Sequence, residues 1–114
     1  MSEPVVPATA QIDAFIDALW LEHGLAANTL AAYRRDLQGY VATLGGTDLN
    51  ASTQLDLESF FAAQHASTKA STANRRLTVF KRYFRWALRE GLVARDPTLK
   101  LLPAKRAARL PKSL

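Results

Sequence analysis

The 114-residue sequence contains no cysteine, and its longest apolar runs are short. The absence of cysteine excludes disulfide bonds and thiolate metal sites. No apolar run approaches the roughly 20 residues that a membrane-spanning helix requires, and the first residues lack the basic and apolar regions of a secretory signal. We therefore expect a cytoplasmic protein that does not span a membrane, and we expect no membrane among its partners. The length suits one small domain with a single core.

Patterns typical of catalytic and metal sites are missing too. The two histidines, His23 and His65, lie 42 positions apart and do not form a closely spaced ligand pair. The sequence has no glycine-rich phosphate loop and no defensible Ser/His/Asp grouping. We therefore predict that this chain is not an enzyme in its own right and that it holds no cofactor and no metal.

Basic residues are scarce in the first part of the chain, and acidic residues are scarce in the rest. Residues 1–68 contain two arginines and eight acids, whereas residues 69–114 contain 13 lysines and arginines and only two acids. This asymmetry predicts a basic face that is offered to a polyanion. Nucleic acid is the favoured polyanion, although charge alone also fits an anionic membrane or an acidic protein.

The sequence predicts four amphipathic helices and no lasting strand pattern. Apolar residues recur at helical spacing over about 10–23, 29–44, 54–66 and 72–90. The predicted N-cap residues are Asn28, Thr53 and Ser71. The predicted C-terminal stops are Gly24, Gly45, Gly46 and Gly91. Short connections between these helices predict a compact all-α four-helix bundle. We expect a flexible N-terminus over 1–9, the folded domain over 10–98 and an extended basic linker over 99–114.

The helical stripes also predict which aromatic and apolar side chains form the core. Trp20 and Tyr33 are assigned to the core, and Leu88 belongs to the predicted core stripe of the fourth helix. Tyr83 and Trp86 fall on the flank of that helix. There they either cover the edge of the core or contact another molecule.

The fourth helix carries a polar stripe roughly opposite its predicted core face. At 100° per residue the stripe is continuous, and it contains four arginines and no acid. Its members are Ser71, Arg75, Thr78, Arg82, Arg85 and Arg89. Like charges at this spacing repel each other, and a bound polyanion would relieve that cost. An arginine fork can also hold a phosphate or a guanine edge with two bonds. The alternative is an ordinary solvated helix face.

The second helix adds a smaller candidate patch. Asn28 and Arg35 point to its outward side, and Arg34 lies nearer the edge of the core stripe. The alternative is that Asn28 only caps the helix, while Arg34 and Arg35 pair with Asp36 or with acids on the first helix.

Two stretches of the chain resemble the Xer family of tyrosine site-specific recombinases, and its XerD branch in particular. Residues 11–44 are similar to the start of those proteins, and within them residues 25–37, Leu-Ala-Ala-Asn-Thr-Leu-Ala-Ala-Tyr-Arg-Arg-Asp-Leu, carry the distinctive pattern. Residues 71–97 are similar to a second signature that ends in Asp96-Pro97, and Leu110-Pro111-Lys112 looks like the linker to the catalytic domain. The resemblance implies a SAM-like core-binding domain that grips duplex DNA. In the intact protein it implies DNA recombination, DNA integration and chromosome dimer resolution.

The resemblance also implies which residues bind and which chemistry lies elsewhere. The second and fourth helices would approach the major groove. The matching DNA-binding positions are Asn28, Thr29, Arg34, Arg35, Ser71, Thr72, Arg75, Arg76, Arg82 and Arg85. The nucleophilic tyrosine would belong to a domain after the linker, so we expect this fragment to bind DNA without cleaving it. The isolated domain would be a monomer, and the intact protein would join a partner recombinase in a synaptic tetramer.

Two other functions fit parts of the same pattern. A phage or mobile-element integrase domain would share the fold and differ in its DNA target. A helical protein-interaction module would instead use Tyr83, Trp86 and the segment 99–102, and its arginines would serve only solubility.

Overall fold

A computed structural model describes residues 8–103, and this part of the chain is helical without any strand. The helices are α1 (Ala8–His23), α2 (Ala27–Ala42), α3 (Gln54–Gln64) and α4 (Ala70–Arg89), with short 3-10 turns before and after α3. The predicted all-α, four-helix architecture is therefore confirmed. Within the described range, no helix combines the length and the apolar character needed to cross a membrane. The predicted N-terminal segment and linker lie outside the described residues, except for residues 8–9 and 99–103.

The helix starts confirm one of the three predicted N-caps. Thr53 accepts a hydrogen bond from the Asp56 amide, and the Asp56 carboxylate accepts one from the Thr53 amide, which makes a complete capping box. Asn28 and Ser71 were wrong as caps, because α2 begins after Ala26 and α4 after Lys69. Both side chains therefore lie inside the first helical turn and are exposed to solvent.

Glycines after the helices turn the chain as predicted. Gly24 follows α1 with a φ of 61°, and Gly91 follows α4 with a φ of 76°. Both values lie in the left-handed region, where a side chain would be strained and glycine is favoured. The reversal at Gly24 lets α2 begin three residues after α1 and pack beside it.

The core forms around α4, which contacts the other three helices through aromatic rings. Ring centroids are 5.3 Å apart for Phe15 of α1 and Tyr83, 5.2 Å for Tyr40 of α2 and Phe80, and 5.8 Å for Phe60 of α3 and Phe80. Such edge-on and tilted pairs stabilise a core beyond the area that they bury. Because α4 has neighbours on three sides, its buried arc is wider than a single-sided stripe would be.

This wide arc corrects several core assignments. Tyr33 is buried as predicted, and Tyr83, placed at the flank, is fully buried. Leu88 was wrong as a core residue, since it lies beyond the buried arc and is 43% exposed. Trp20 was wrong as well: it is 57% exposed, because it sits 100° around α1 from the buried Leu19, at the margin of the packed face.

The chain after α4 folds back onto the domain. The Lys81 ammonium donates to the Thr98 carbonyl at 2.6 Å, and the Asp96 carboxylate accepts a hydrogen bond from the Thr98 amide at 2.8 Å. Thr98 is buried, and so is Leu101, which falls within the predicted linker. Within the predicted linker, Leu101 is therefore packed against the core, whereas Leu99 and Leu102 are exposed.

Candidate nucleic-acid interface

The two helices that carry the predicted binding residues lie side by side and antiparallel. Asp36 of α2 bonds to Arg75 of α4, and Tyr33, one turn earlier on α2, lies against Arg82, two turns later on α4. The start of α2, with Asn28, therefore points toward the C-terminal half of α4. The predicted residues therefore spread along the helix pair: Asn28 and Thr29 lie at one end, and Ser71 and Thr72, in the first turn of α4, lie at the other.

The predicted polar stripe of α4 is a single outward face. Five of its six members are exposed, and Arg82 is half-buried, whereas the buried residues of α4 lie on the other side. We call this stripe, together with the exposed Asn28 and Arg35 of α2, the α2–α4 face. Its charge is less uniform than the sequence indicated, because other helices contribute acids to it.

Arg75 and Arg89 are both held by carboxylates from neighbouring helices. Arg75 donates from Nε to Asp36 Oδ2 at 2.9 Å and from Nη2 to Asp36 Oδ1 at 2.8 Å. Arg89 donates to the two carboxylate oxygens of Glu22 at 3.0 and 2.9 Å. Hydrogen bonding to Asp36 raises the pKa of Arg75, and bonding to Glu22 raises that of Arg89. Two of the four stripe arginines are thus ion-paired within the domain.

Arg34 and Arg76 are also engaged inside the domain. Arg34 pairs with Asp13 of α1, which is the alternative that the sequence left open. Arg76 is half-buried and donates to the side-chain oxygen of Gln64 at 2.5 Å, with Nε 3.5 Å from Asp36 Oδ1. These two arginines brace α2 and α4 against α1 and α3, so their first partners are protein groups.

Arg35 and Arg85 are the cations of the face with the greatest freedom. Both are exposed, and neither makes a hydrogen bond or an ion pair with a residue in the range 8–103. Arg82 is intermediate between the free and the ion-paired arginines. It is half-buried, and its guanidinium carbon lies 6.0 Å from the Tyr33 ring centroid, at the edge of cation–π range. The α2–α4 face therefore combines ion-paired and free guanidinium groups.

Among the described residues no group is arranged to hold a metal ion, and the alternative protein-interaction surface is only partly exposed, since Leu99 and Leu102 are exposed but other members are buried. No cluster of three or more His, Asp or Glu residues there could hold a metal ion. Tyr83, part of the alternative protein-interaction surface, is fully buried, and its hydroxyl donates to the Asn50 side-chain oxygen at 2.7 Å. Leu101 is buried as well, and Trp86 is half-buried. Burial of Tyr83 and Leu101 removes two members of that alternative surface.

Comparison with known proteins assigns the fold. Residues 12–91 match the family model of the phage integrase N-terminal SAM-like domain, and the chain belongs to this family. The match extends from the first core residue of α1 to the glycine that follows α4.

Named relatives are recombinases of the Xer type, as the sequence signatures indicated. The chain is 54% identical over 114 residues to the tyrosine recombinase XerD of Ralstonia nicotianae, with 97% of this chain and 37% of the relative covered. It is 43% identical over 106 residues to XerD of Proteus mirabilis, covering 90% of this chain and 34% of the relative. The tyrosine recombinase XerC of Bifidobacterium longum subsp. infantis is 37% identical, with 90% and 30% covered. The chain thus spans about a third of the length of these relatives and corresponds to their N-terminal domain.

Proposed function

We propose that this domain binds duplex DNA and serves as the DNA-gripping part of a XerD-like tyrosine recombinase. The observation that carries the proposal is the α2–α4 face, which presents the unpaired Arg35 and Arg85 together with the half-buried Arg82. Free arginines without protein partners on one face suit a polyanion, because phosphate contacts dominate the affinity of proteins for DNA. In the intact cytoplasmic protein, this grip would serve recombination, DNA integration and the resolution of chromosome dimers.

The predicted DNA-binding residues divide into three roles under this proposal. Arg35, Arg82 and Arg85 contact phosphates directly. Arg34 and Arg76 act mainly by holding α2 and α4 in register, since both are bonded within the domain. The remaining predicted positions are polar and uncharged, and they contact the duplex at the two ends of the face: Asn28 and Thr29 at one end, Ser71 and Thr72 at the other. Arg75 differs from all of these, because two hydrogen bonds to Asp36 fix its exposed guanidinium.

The cleavage chemistry is assigned to the part of the protein that lies outside this domain. All three tyrosines of the chain, Tyr33, Tyr40 and Tyr83, are buried in the core and so are poorly placed to attack a phosphodiester. We propose that residues 99–114 lead to the catalytic domain with the nucleophilic tyrosine. During recombination the intact protein would act with a partner recombinase in a synaptic tetramer. The isolated domain is a monomer.

Charge reversal of the free arginines tests the proposal. We would measure fluorescence anisotropy of a labelled recombination-site duplex and a scrambled duplex at two salt concentrations. We expect Arg35→Glu and Arg85→Glu each to weaken binding about tenfold or more at low salt and to flatten the salt dependence by about one unit of slope. Arg95→Glu is the matched control, because Arg95 is an exposed arginine in the turn after α4 and outside the proposed interface.

The choice of variants follows from the ion pairs. Arg75→Glu would place a second carboxylate against the buried Asp36 and would destabilise the fold, so its effect on DNA binding could not be interpreted. If Arg35→Glu and Arg85→Glu both bind DNA as the parent does, the α2–α4 face is not the DNA surface. If the same variants still bind a protein partner, the result would favour the interaction-module alternative.

A further inference from the structure

Arg75 is held in an unusual way for a surface arginine. The side chain of Asp36 is only 4% exposed, while that of Arg75 is 44% exposed. Both carboxylate oxygens of Asp36 accept from the same edge of the guanidinium, the edge formed by Nε and Nη2. The buried partner thus fixes the plane of a guanidinium that remains accessible to solvent.

The bonds to Asp36 leave part of the guanidinium available. A guanidinium has five N–H donors in a rigid fork. Two of them are committed to Asp36, and Nη1 donates to no described residue. The end of the fork formed by Nη1 and Nη2 therefore keeps three donors in a fixed plane on the α2–α4 face.

We propose that Arg75, oriented by Asp36, reads a guanine base in the major groove through its Nη1/Nη2 end. This inference rests on the proposed DNA-binding function and names the base contact within it. Guanine presents two adjacent acceptors in the major groove, O6 and N7, and a bidentate arginine is the commonest side chain that recognises them. Asp36 is then a positioning residue, because it acts through Arg75 and does not itself touch the DNA.

Charge and rigidity favour a base over a phosphate at this position. The Asp36 carboxylate offsets one of the two positive charges beside it, those of Arg75 and Arg76, so this pair attracts the DNA backbone less strongly than two free arginines would. A phosphate contact gains little from a fixed plane, whereas recognition of O6 and N7 requires one. Arg35 and Arg85 carry uncompensated charge on free side chains, which suits phosphates. The structure therefore separates one arginine suited to specificity from others suited to affinity.

The test uses a base analogue that removes one acceptor. The 114-residue chain would first be used to select preferred sites from a library of short duplexes with a randomised centre. Each guanine of the preferred duplex would then be replaced in turn by 7-deazaguanine, which lacks the N7 acceptor. We expect the unmodified chain to lose about fivefold or more in affinity at one guanine. Arg75→Lys keeps the charge, but its shorter side chain would leave the ammonium on Asp36 with no planar fork extending beyond it, so it should bind the natural and substituted duplexes equally.

Two further variants separate positioning from stability. Asp36→Asn should reduce the preference for the selected duplex over a scrambled one by about fivefold or more, while its affinity for the scrambled duplex stays equal or rises because a negative charge is lost. A purely structural role would lower both affinities together. Arg95→Lys, with the same chemical change outside the interface, should keep the full 7-deazaguanine effect.

The outcomes distinguish this inference from the proposed function. If the unmodified chain binds no duplex even at low salt, the proposed function fails and the base contact fails with it. If the chain binds DNA but loses no affinity at any 7-deazaguanine, or if Arg75→Lys loses as much as the unmodified chain at the same guanine, the assignment of Arg75 is overturned and DNA binding stands. Equal loss of affinity for all sequences in Arg75→Lys would mean that Arg75 contacts a phosphate, and would also overturn it.

Discussion

The bond between Asp36 and Arg75 predicts a measurable loss of stability when the carboxylate is neutralised. Asp36→Asn keeps the shape of the side chain and one oxygen acceptor, so one of the two short bonds from Arg75 is lost and the other is weakened. A hydrogen bond to a charged group contributes about 1.5–3 kcal/mol. Because Arg75 is 44% exposed, water recovers part of that loss. We therefore expect the free energy of unfolding to fall by about 1–2 kcal/mol.

Thermal and urea unfolding followed by circular dichroism at 222 nm would measure this change. For a domain of this size, each kcal/mol shifts the melting temperature by about 4–8 °C, so we expect a decrease of about 5–15 °C. The matched control is Asp13→Asn, which removes the partner of Arg34 at a site where both side chains are substantially exposed. That control should cost less than about 1 kcal/mol. Equal effects of the two substitutions would refute the argument that burial makes the Asp36 pair the stronger one.

Three further predictions concern stability and follow from individual residues. Gly39→Ala should stabilise the domain by about 0.5–1 kcal/mol, because Gly39 is a helical residue of α2, about one turn before its end, and an added Cβ meets nothing within 4 Å; unchanged or lower stability in urea would contradict this. Thr53→Ala should cost about 0.5–2 kcal/mol through loss of the capping box at α3, and an unchanged urea midpoint would argue against that cap. Burial raises the pKa of Tyr40 and Tyr83 above the ordinary 10.0, so the folded state holds their protons more tightly and stability should fall as the pH rises above about 10. Constant unfolding midpoints from pH 9 to 11.5 would disprove that last point.

The helical architecture could be predicted because its signals are local. Helical spacing of apolar residues, the Thr53-to-Asp56 capping pattern and the glycines after α1 and α4 act within a few residues of one another. The depth of burial was less predictable. Tyr83 is buried because α1 packs on one flank of α4, and Trp20 is exposed because it falls at the margin of the packed face. Periodicity within a single helix carries no information about how many neighbours the helix will have.

The outward arginine stripe of α4 was predictable for the same local reason, but its ion pairs were not. The partners of Arg75, Arg34 and Arg89 lie 39, 21 and 67 positions away in sequence. The one usable signal was Asp36, an acid at the edge of the core stripe of α2, which requires a basic partner once it is buried. Recognition of that requirement would have indicated that part of the stripe is committed to the fold.

Mapping the DNA contact surface on the domain tests the central claim most directly. A short recombination-site duplex would be titrated at low salt into the isotopically labelled chain, and the backbone amide chemical shifts would be followed by NMR. We predict that the perturbed amides cluster on the outward side of α4 around Arg85 and on α2 between Asn28 and Arg35, while the exposed side of α3 around Leu55 remains unchanged. Perturbation centred on α3, or no perturbation at any duplex concentration, would contradict the account.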